Sequence, residues 1–256
     1  MSNLQQIRAA FSAQAENFSQ PGQTLSDPHL LSWMVAALDL GPAIQALDVA
    51  AGTGIHSAAL APHLRNVVAL DATPAMIHKG IRSAGQAGFS NVAFVLGLAQ
   101  QLPVAANTFD RVACRFAVHH FPDPAKAVLE MTRACSLGGK VILIDLVSPD
   151  NDQLADSYNH LETLRDPSHV RALTIQELEG LLLQSGLTLR PSISRAIPVQ
   201  VNRWLGLTNT DETRAQVICE ALLAELTGSK ATGMRPFMAQ EGLHFHQTWA
   251  IAVGQK

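Results

Sequence analysis

Cysteine, tyrosine and charge are all scarce in this chain. Its 256 residues hold three cysteines, one tyrosine and 15% charged residues. Cys114, Cys135 and Cys219 stand far apart, which fits reduced thiols in a cytoplasmic protein better than a disulfide framework or a metal site. Net charge is −3, with acids and bases interspersed. That leaves no basic footprint for nucleic acid and no polybasic run for an anionic membrane. No apolar run approaches the ~20 residues of a membrane span. The first residues show no charged region leading into an apolar core, so no signal peptide is expected. Aromatic residues make up 5% of the chain, which argues against an acceptor site built as a nucleobase stack or a quaternary-ammonium cage. No internal repeat or low-complexity tract is visible. The 47% of hydrophobic residues is enough for a large core, in one α/β domain or two small ones.

The stretch from Ile44 to His56 organises the rest. Ile44, Ala46, Leu47 and Val49 read as a buried strand that runs into Gly52 and Gly54, and a helix-forming stretch follows. Glycines at such a strand–turn–helix junction let the backbone come close to a ligand. A tight turn with no ligand is the plain alternative. The spacing Asp48-x-Ala50-x-Gly52-x-Gly54 is not the G-x-G-x-x-G pattern of nicotinamide binders.

Two amphipathic helices are predicted before this stretch, over residues 3 to 18 and from Asp27-Pro28 to Gly41-Pro42. After it, strands are predicted at Asn66–Asp71, Val92–Leu96, Asn107–Phe116 and Lys140–Asp145. Helices stand between them, near 54 to 64, from Thr73-Pro74 with Met76, Ile77 and Ile81 inward, and from Asp123-Pro124 to about Ser136. Strands alternating with helices imply a parallel sheet covered on both faces. Residues 150 to 171 are polar. Thr174 and Glu177 form a capping box before another helix, which Gly186 ends. A β-like stretch near 187 to 199, a helix from Asp211 to Leu226, a long loop over 228 to 242 and a strand from Leu243 to Val253 complete the chain. On that strand Leu243, Phe245, Gln247 and Trp249 share one side.

Leu47-Asp48-Val-Ala50-Ala-Gly52-Thr-Gly54, Leu70-Asp71-Ala-Thr-Pro-Ala-Met76, Leu102-Pro103, Phe109-Asp110, Arg115-Phe-Ala-Val-His119-His120-Phe-Pro-Asp-Pro and Gly138-Gly139-Lys-Val follow one another in order. In this combination the chain resembles the class I S-adenosylmethionine (SAM)-dependent methyltransferases. It resembles most their small-molecule branch near the ubiquinone/menaquinone-biosynthesis type, over about residues 25 to 195. The resemblance implies a Rossmann-like α/β fold with a seven-stranded, mostly parallel sheet and an antiparallel last strand at 243 to 253. It implies one domain over residues 1–256, with a helical lid at 1–40, a SAM-binding half at 41–149, and lid insertions with the C-terminal strands at 150–256.

The same resemblance implies site roles. The turn at Gly52 and Gly54, with Asp48 before it, would pass beneath the methionine part of SAM. The backbone near Ala50 and Arg115 would hold its amino and carboxylate ends, and Ala72 and Met76 would flank the adenine. Asp71, about 20 residues past the turn, would accept from the ribose hydroxyls. Its plain alternative is a carboxylate that complements a helix dipole. Relatives carry an aspartate where this chain has Leu98 before Ala99. Gln100 or Gln101 could substitute through a side-chain carbonyl, or the Ala99 backbone and stacking alone could hold the base.

His119, His120 and Asp145 fall at carboxyl ends of predicted strands, where open α/β sheets bind ligands. In similar enzymes acting on natural-product hydroxyls, such a pair and such an aspartate lie beside the acceptor. A packed turn is the alternative. His169 is a second candidate base, and Phe18, Tyr158 and Arg165 are candidate substrate contacts in the lid segments. Phe11, Trp204 and Phe237 fit either a pocket wall or plain packing. His56 is expected on an exposed helix face, and His244 and His246 read as a surface pair, with no metal site expected. The expected activity is SAM-dependent methylation of a small organic acceptor, at oxygen first, by a monomer or homodimer with no nucleic-acid or membrane partner. The alternatives are a SAM-binding lyase or cyclase and a non-catalytic SAM-binding regulator on the same fold.

Overall fold

The computed structural model describes residues 3–14 and 24–256. The parallel strands are β1 (Gln45–Val49), β2 (Asn66–Asp71), β3 (Val92–Leu96), β4 (Phe109–Arg115) and β5 (Cys135–Val147). β6 (Thr188–Gln200), β7 (Pro236–Ala239) and β8 (Gly242–Gln255) follow. The strand order is β3-β2-β1-β4-β5-β8-β6. β8 runs antiparallel to both β5 and β6. β7 pairs with β8 from Pro236↔Phe245 to Ala239↔Gly242, beyond the point where β5 stops at Val147↔Thr248. The sheet therefore has eight strands, not the expected seven. The extra one lies within residues 228 to 242, read from sequence as a loop, and is too short to show a strand pattern.

Alternation along β5 builds two cores. Ile142, Ile144 and Leu146 face one side with Met34, Leu60, Tyr158, Trp204 and Ile218. Val141, Leu143 and Val147 face the other with Val128, Met131, Leu178 and Leu182. The first core is covered by α2 (Pro28–Ala36), α3 (Ile55–Leu60), α6 (Asp152–Arg165), α8 (Val201–Leu207) and α9 (Glu212–Leu226). The second is covered by α5 (Pro124–Ala134) and α7 (Ile175–Gln184). α1 (Asn3–Gln14) and α4 (Pro74–Gln86) pack on each other.

Local chemistry sets most helix starts. Asp27 accepts from His29 N and Leu30 N, and Pro28 fills the first turn. Asp123 with Pro124 repeats the device. Thr174 and Glu177 form the expected capping box. Two helices have no counterpart in the sequence reading. α8 is short, and α6 buries charge: Tyr158, Leu161, Glu162 and Arg165 make up its inner face. A stripe half made of charged residues reads as polar loop. Ile81, expected inward, is 51% exposed. The three cysteines are unpaired, and no helix among the described residues is long and apolar enough to cross a membrane.

Candidate active site

The glycine turn is held from below by two carboxylates. Asp71 Oδ2 accepts from Gly52 N at 2.8 Å, and Oδ1 accepts from Thr73 N at 2.8 Å. Burial raises its pKa above the ordinary aspartate range, against those backbone bonds. Asp48 is fully buried, taking Ser57 Oγ at 2.6 Å and facing His56 Nδ1 at 3.0 Å. His56, expected on an exposed face, is therefore only 2% exposed, because the buried carboxylate at the end of β1 draws the ring inward. Ala50, Gly52 and Gly54 all take positive φ, at 55°, 57° and 79°. A Cβ on Gly52 would meet nothing within 4 Å, whereas one on Gly54 would lie 2.8 Å from the Phe94 ring. Gly52 thus leaves space above the turn, and Gly54 allows close packing behind it.

Above the turn lies a cavity of about 370 Å³ at the carboxyl ends of the parallel strands. Ala50, Gly52, Asp71, Ala72, Met76, Ala99, Gln100 and Arg115 line it, as does Leu98. Asp48 and Gly54 are not on its wall. Gln100 reaches the cavity, whereas Gln101 is exposed outside it. Arg115 donates to Leu25 O and contacts Met34 Sδ at 3.2 Å. Burial brings its pKa down to about 10. Arg8 Nε donates to Ala72 O at 2.9 Å, which ties α1 to the rim.

The far wall carries the histidines. After β4 the chain makes a short turn through Val118–His120, and both rings are buried there. His119 Nδ1 lies 2.5 Å from Asp145 Oδ1, and its backbone N–H donates to Oδ2 at 3.1 Å. His120 Nδ1 lies 2.9 Å from the Ser168 carbonyl oxygen. A carbonyl only accepts, so Nδ1 carries the proton and Nε2 is the basic nitrogen. Burial, then the neighbouring His119, push the His120 pKa down to about 3. Both rings line the cavity, and Phe11 meets His120 edge-on at 4.9 Å. Asp145 supports His119 from behind without reaching the cavity wall.

His169 is not on the wall either. Its Nε2 faces Asn159 Oδ1 at 2.8 Å, its Nδ1 is buried without a partner, and burial lowers its pKa to about 2. Arg165 does reach the cavity, and so do Asp166, Trp204 and Gln247. Tyr158 is 1% exposed and off the wall. Phe18 lies outside the described residues, and Phe237 instead stacks on His246 at 4.6 Å. No group of three or more His, Cys, Asp or Glu among the described residues could hold a metal. The sequence marks the segment from Arg165 to His169 as a candidate contact but gives Asp166 and Ser168 no role of their own. It passes over Gln247, for which a glutamine on the apolar side of the last strand was the available signal.

Residues 47–143 match the family model described as a methyltransferase domain. The uncharacterized methyltransferase YcgJ of Bacillus subtilis is 31% identical over 208 residues, covering 81% of this chain and 82% of that protein. Its crystal structure superposes with a TM-score of 0.80 at 28% identity, over 89% of this chain and 98% of that one. The demethylmenaquinone methyltransferase of Renibacterium salmoninarum is 33% identical over 56% of this chain and 60% of its own length. With that coverage, and with the glycine turn and its two carboxylates inside the matched region, the chain belongs to the class I SAM-dependent methyltransferases.

Proposed function

We propose that this enzyme methylates a hydroxyl oxygen of a small organic acceptor. The observation that carries the reading is the pair of imidazoles on the cavity wall. Each has its Nδ1 engaged away from the cavity, by Asp145 and by the Ser168 carbonyl. Among the described residues no protein group bonds either Nε2, so both remain for a ligand.

The wall suits the cofactor. The open space at Gly52 admits a ligand chain close to the backbone. Asp71 has used one lone pair on each oxygen and keeps the others for ribose hydroxyls. Ala72 and Met76 offer an apolar slot for the adenine, and Gln100 stands in for the missing carboxylate at Leu98, a reading supported by its lining the cavity where Gln101 does not. Ala99 and the backbone near Ala50 and Arg115 complete the binding set. Asp48 and Gly54 act behind it, fixing the turn.

Bound SAM supplies an activated methyl group, which passes to the acceptor oxygen while the breaking C–S bond leaves its electrons on sulfur. The protein positions the hydroxyl in line and takes its proton. His120 Nε2 receives that proton and releases it to water. His119, oriented by Asp145, holds the oxygen. His169 positions Asn159 and the Arg165–His169 loop behind them. Phe11 and Trp204 exclude water from the apolar roof, where residues 1–40 and the insertions within 150–256, apart from its sheet strands, act as a lid over the half at 41–149. Three unpaired thiols suit a cytoplasmic setting.

Calorimetry with SAM and with S-adenosylhomocysteine tests the cofactor set, with dissociation constants expected in the micromolar range or below. Phenols, hydroxy acids and quinols are then screened for methyl uptake. Methyl ethers or esters support the reading. Uptake confined to carbon or nitrogen acceptors overturns the oxygen assignment.

A further inference from the structure

At the acceptor end of the cavity one arginine is left short of partners. The Arg165 side chain is 8% exposed and lines the cavity. Its Nε stands 3.2 Å from Glu162 Oε2, outside hydrogen-bond geometry, and is buried without a partner. Among the described residues no group accepts from either Nη. Guanidinium has five N–H donors, and leaving them unmade in a buried place is costly. A ligand oxygen would relieve that cost.

The charges nearby say what kind of oxygen. Glu162 is fully buried, and Gln247 Nε2 donates to its Oε1 at 2.8 Å. It cancels the arginine's charge, so Arg165 presents donors without a net positive field. The next residue, Asp166, is also on the wall. Burial works against its charge, but His120, Arg165 and the bonds from Ser168 hold its carboxyl below the usual range. The end of the cavity is therefore net negative, which disfavours a carboxylate or phosphate and admits a neutral oxygen.

Resting on the oxygen-methylation reading, we infer that the acceptor is a neutral molecule whose reacting hydroxyl is conjugated with a carbonyl, and that Arg165 donates to that carbonyl oxygen. Hydroxyaryl ketones are the simplest members of the class. Phe11, Phe116 and Trp204 make the cavity apolar beside these donors, with the Arg165 guanidinium 5.0 Å from the centroid of the Trp204 ring. The chemistry agrees. A base pushed down to about 3 is poorly matched to a plain phenol, which titrates near about 10. Conjugation acidifies the hydroxyl. As the proton leaves, negative charge spreads onto the carbonyl oxygen, where the Arg165 donors stabilise it. The proton goes to His120 Nε2, the methyl carbon bonds to the hydroxyl oxygen, and the electron pair of the breaking C–S bond stays on sulfur.

Three probes of similar shape test this on the full chain. They are 4-hydroxyacetophenone, 4-ethylphenol and 4-hydroxybenzoate. Binding is measured by calorimetry with S-adenosylhomocysteine present, and methyl transfer is measured with SAM. The ketone is expected to bind at least about tenfold tighter than the other two, as one charge-assisted hydrogen bond allows. Arg165→Lys keeps a cation opposite Glu162 but loses the planar fork. It should erase the gap between ketone and ethylphenol while S-adenosylhomocysteine binds within a few fold of before. Equal binding of ketone and ethylphenol, tightest binding of the benzoate, or binding of none overturns the inference. Methylation of ethylphenol as fast as the ketone leaves the oxygen reading standing and removes this one. Ketone preference without any methyl ether removes the oxygen reading, and the reacting hydroxyl with it, and leaves only the contact of Arg165 with a ligand carbonyl.

Discussion

Ser168 and Asp166 do for His120 what Asp145 does for His119. Ser168 Oγ donates to Asp166 Oδ1 at 2.6 Å and lies 3.2 Å from His120 Nδ1, while the Ser168 carbonyl takes the Nδ1 proton. His120→Ala should lower turnover by about 10²–10⁴-fold, the usual worth of a general base, and leave SAM affinity within a few fold. Loss of SAM binding in calorimetry would give the residue a different job. The buried rings also set an acid sensitivity. His120 and His169 titrate at about 3 and about 2 when folded, against about 6.5 for a free imidazole. Their folded pKa values are lowered, so unfolding takes up protons. The stability they confer as neutral rings is complete above about pH 6.5 and declines as the pH falls below it. Each adds a slope of about 1.4 kcal/mol per pH unit below that point. Urea midpoints measured between pH 7 and 5 should fall with acid, and His169→Asn should fall less steeply. Equal slopes would show that His169 is not held neutral.

Phe94 on β3 is the hub that brings two helices against the sheet. Added Cβ atoms on Gly54 and Gly80 would lie 2.8 Å and 2.2 Å from its ring. Glycine at 54 is also required by φ 79°. Gly54→Ala should destabilise the fold by about 2–5 kcal/mol, from left-handed strain of about 1–2 kcal/mol and overpacking of about 1–3 kcal/mol. Adding Phe94→Leu should recover the packing part and leave the strain, which a double-mutant cycle of urea midpoints separates. A cycle with no coupling would place the whole cost in the backbone. Elements of this kind were readable in advance, because the turn word, the proline-started helices and the capping box are local chemistry. α6 was not. Its inner face holds Glu162 and Arg165, oppositely charged and 3.2 Å apart, and Glu162 takes a hydrogen bond from Gln247 on a strand 85 residues away. Nothing local marks a charged residue as buried when its partner is supplied by the fold. His56 failed for the same reason, its partner Asp48 belonging to the preceding strand.

Seen across the whole molecule, the parallel half carries the cofactor wall and the later segments carry the acceptor end. α1 closes the gap between them. Arg8 bonds the Ala72 carbonyl beside Asp71, and Phe11 rests on His120, so one helix touches both ends of the cavity. Of its side chains with described burial, Gln5, Ala9 and Ser12 are exposed, Arg8 and Phe11 are half-buried and Gln14 is buried. Removing residues 1–14 should leave the urea midpoint of the ligand-free protein nearly unchanged. S-adenosylhomocysteine should bind about tenfold more weakly, mostly through faster dissociation, since the lost contacts are made only after entry. The thermal shift produced by a fixed excess of S-adenosylhomocysteine should shrink accordingly. Unchanged affinity would mean that α1 rests on a site already complete without it. A large fall in the ligand-free midpoint would make it a structural helix rather than a lid.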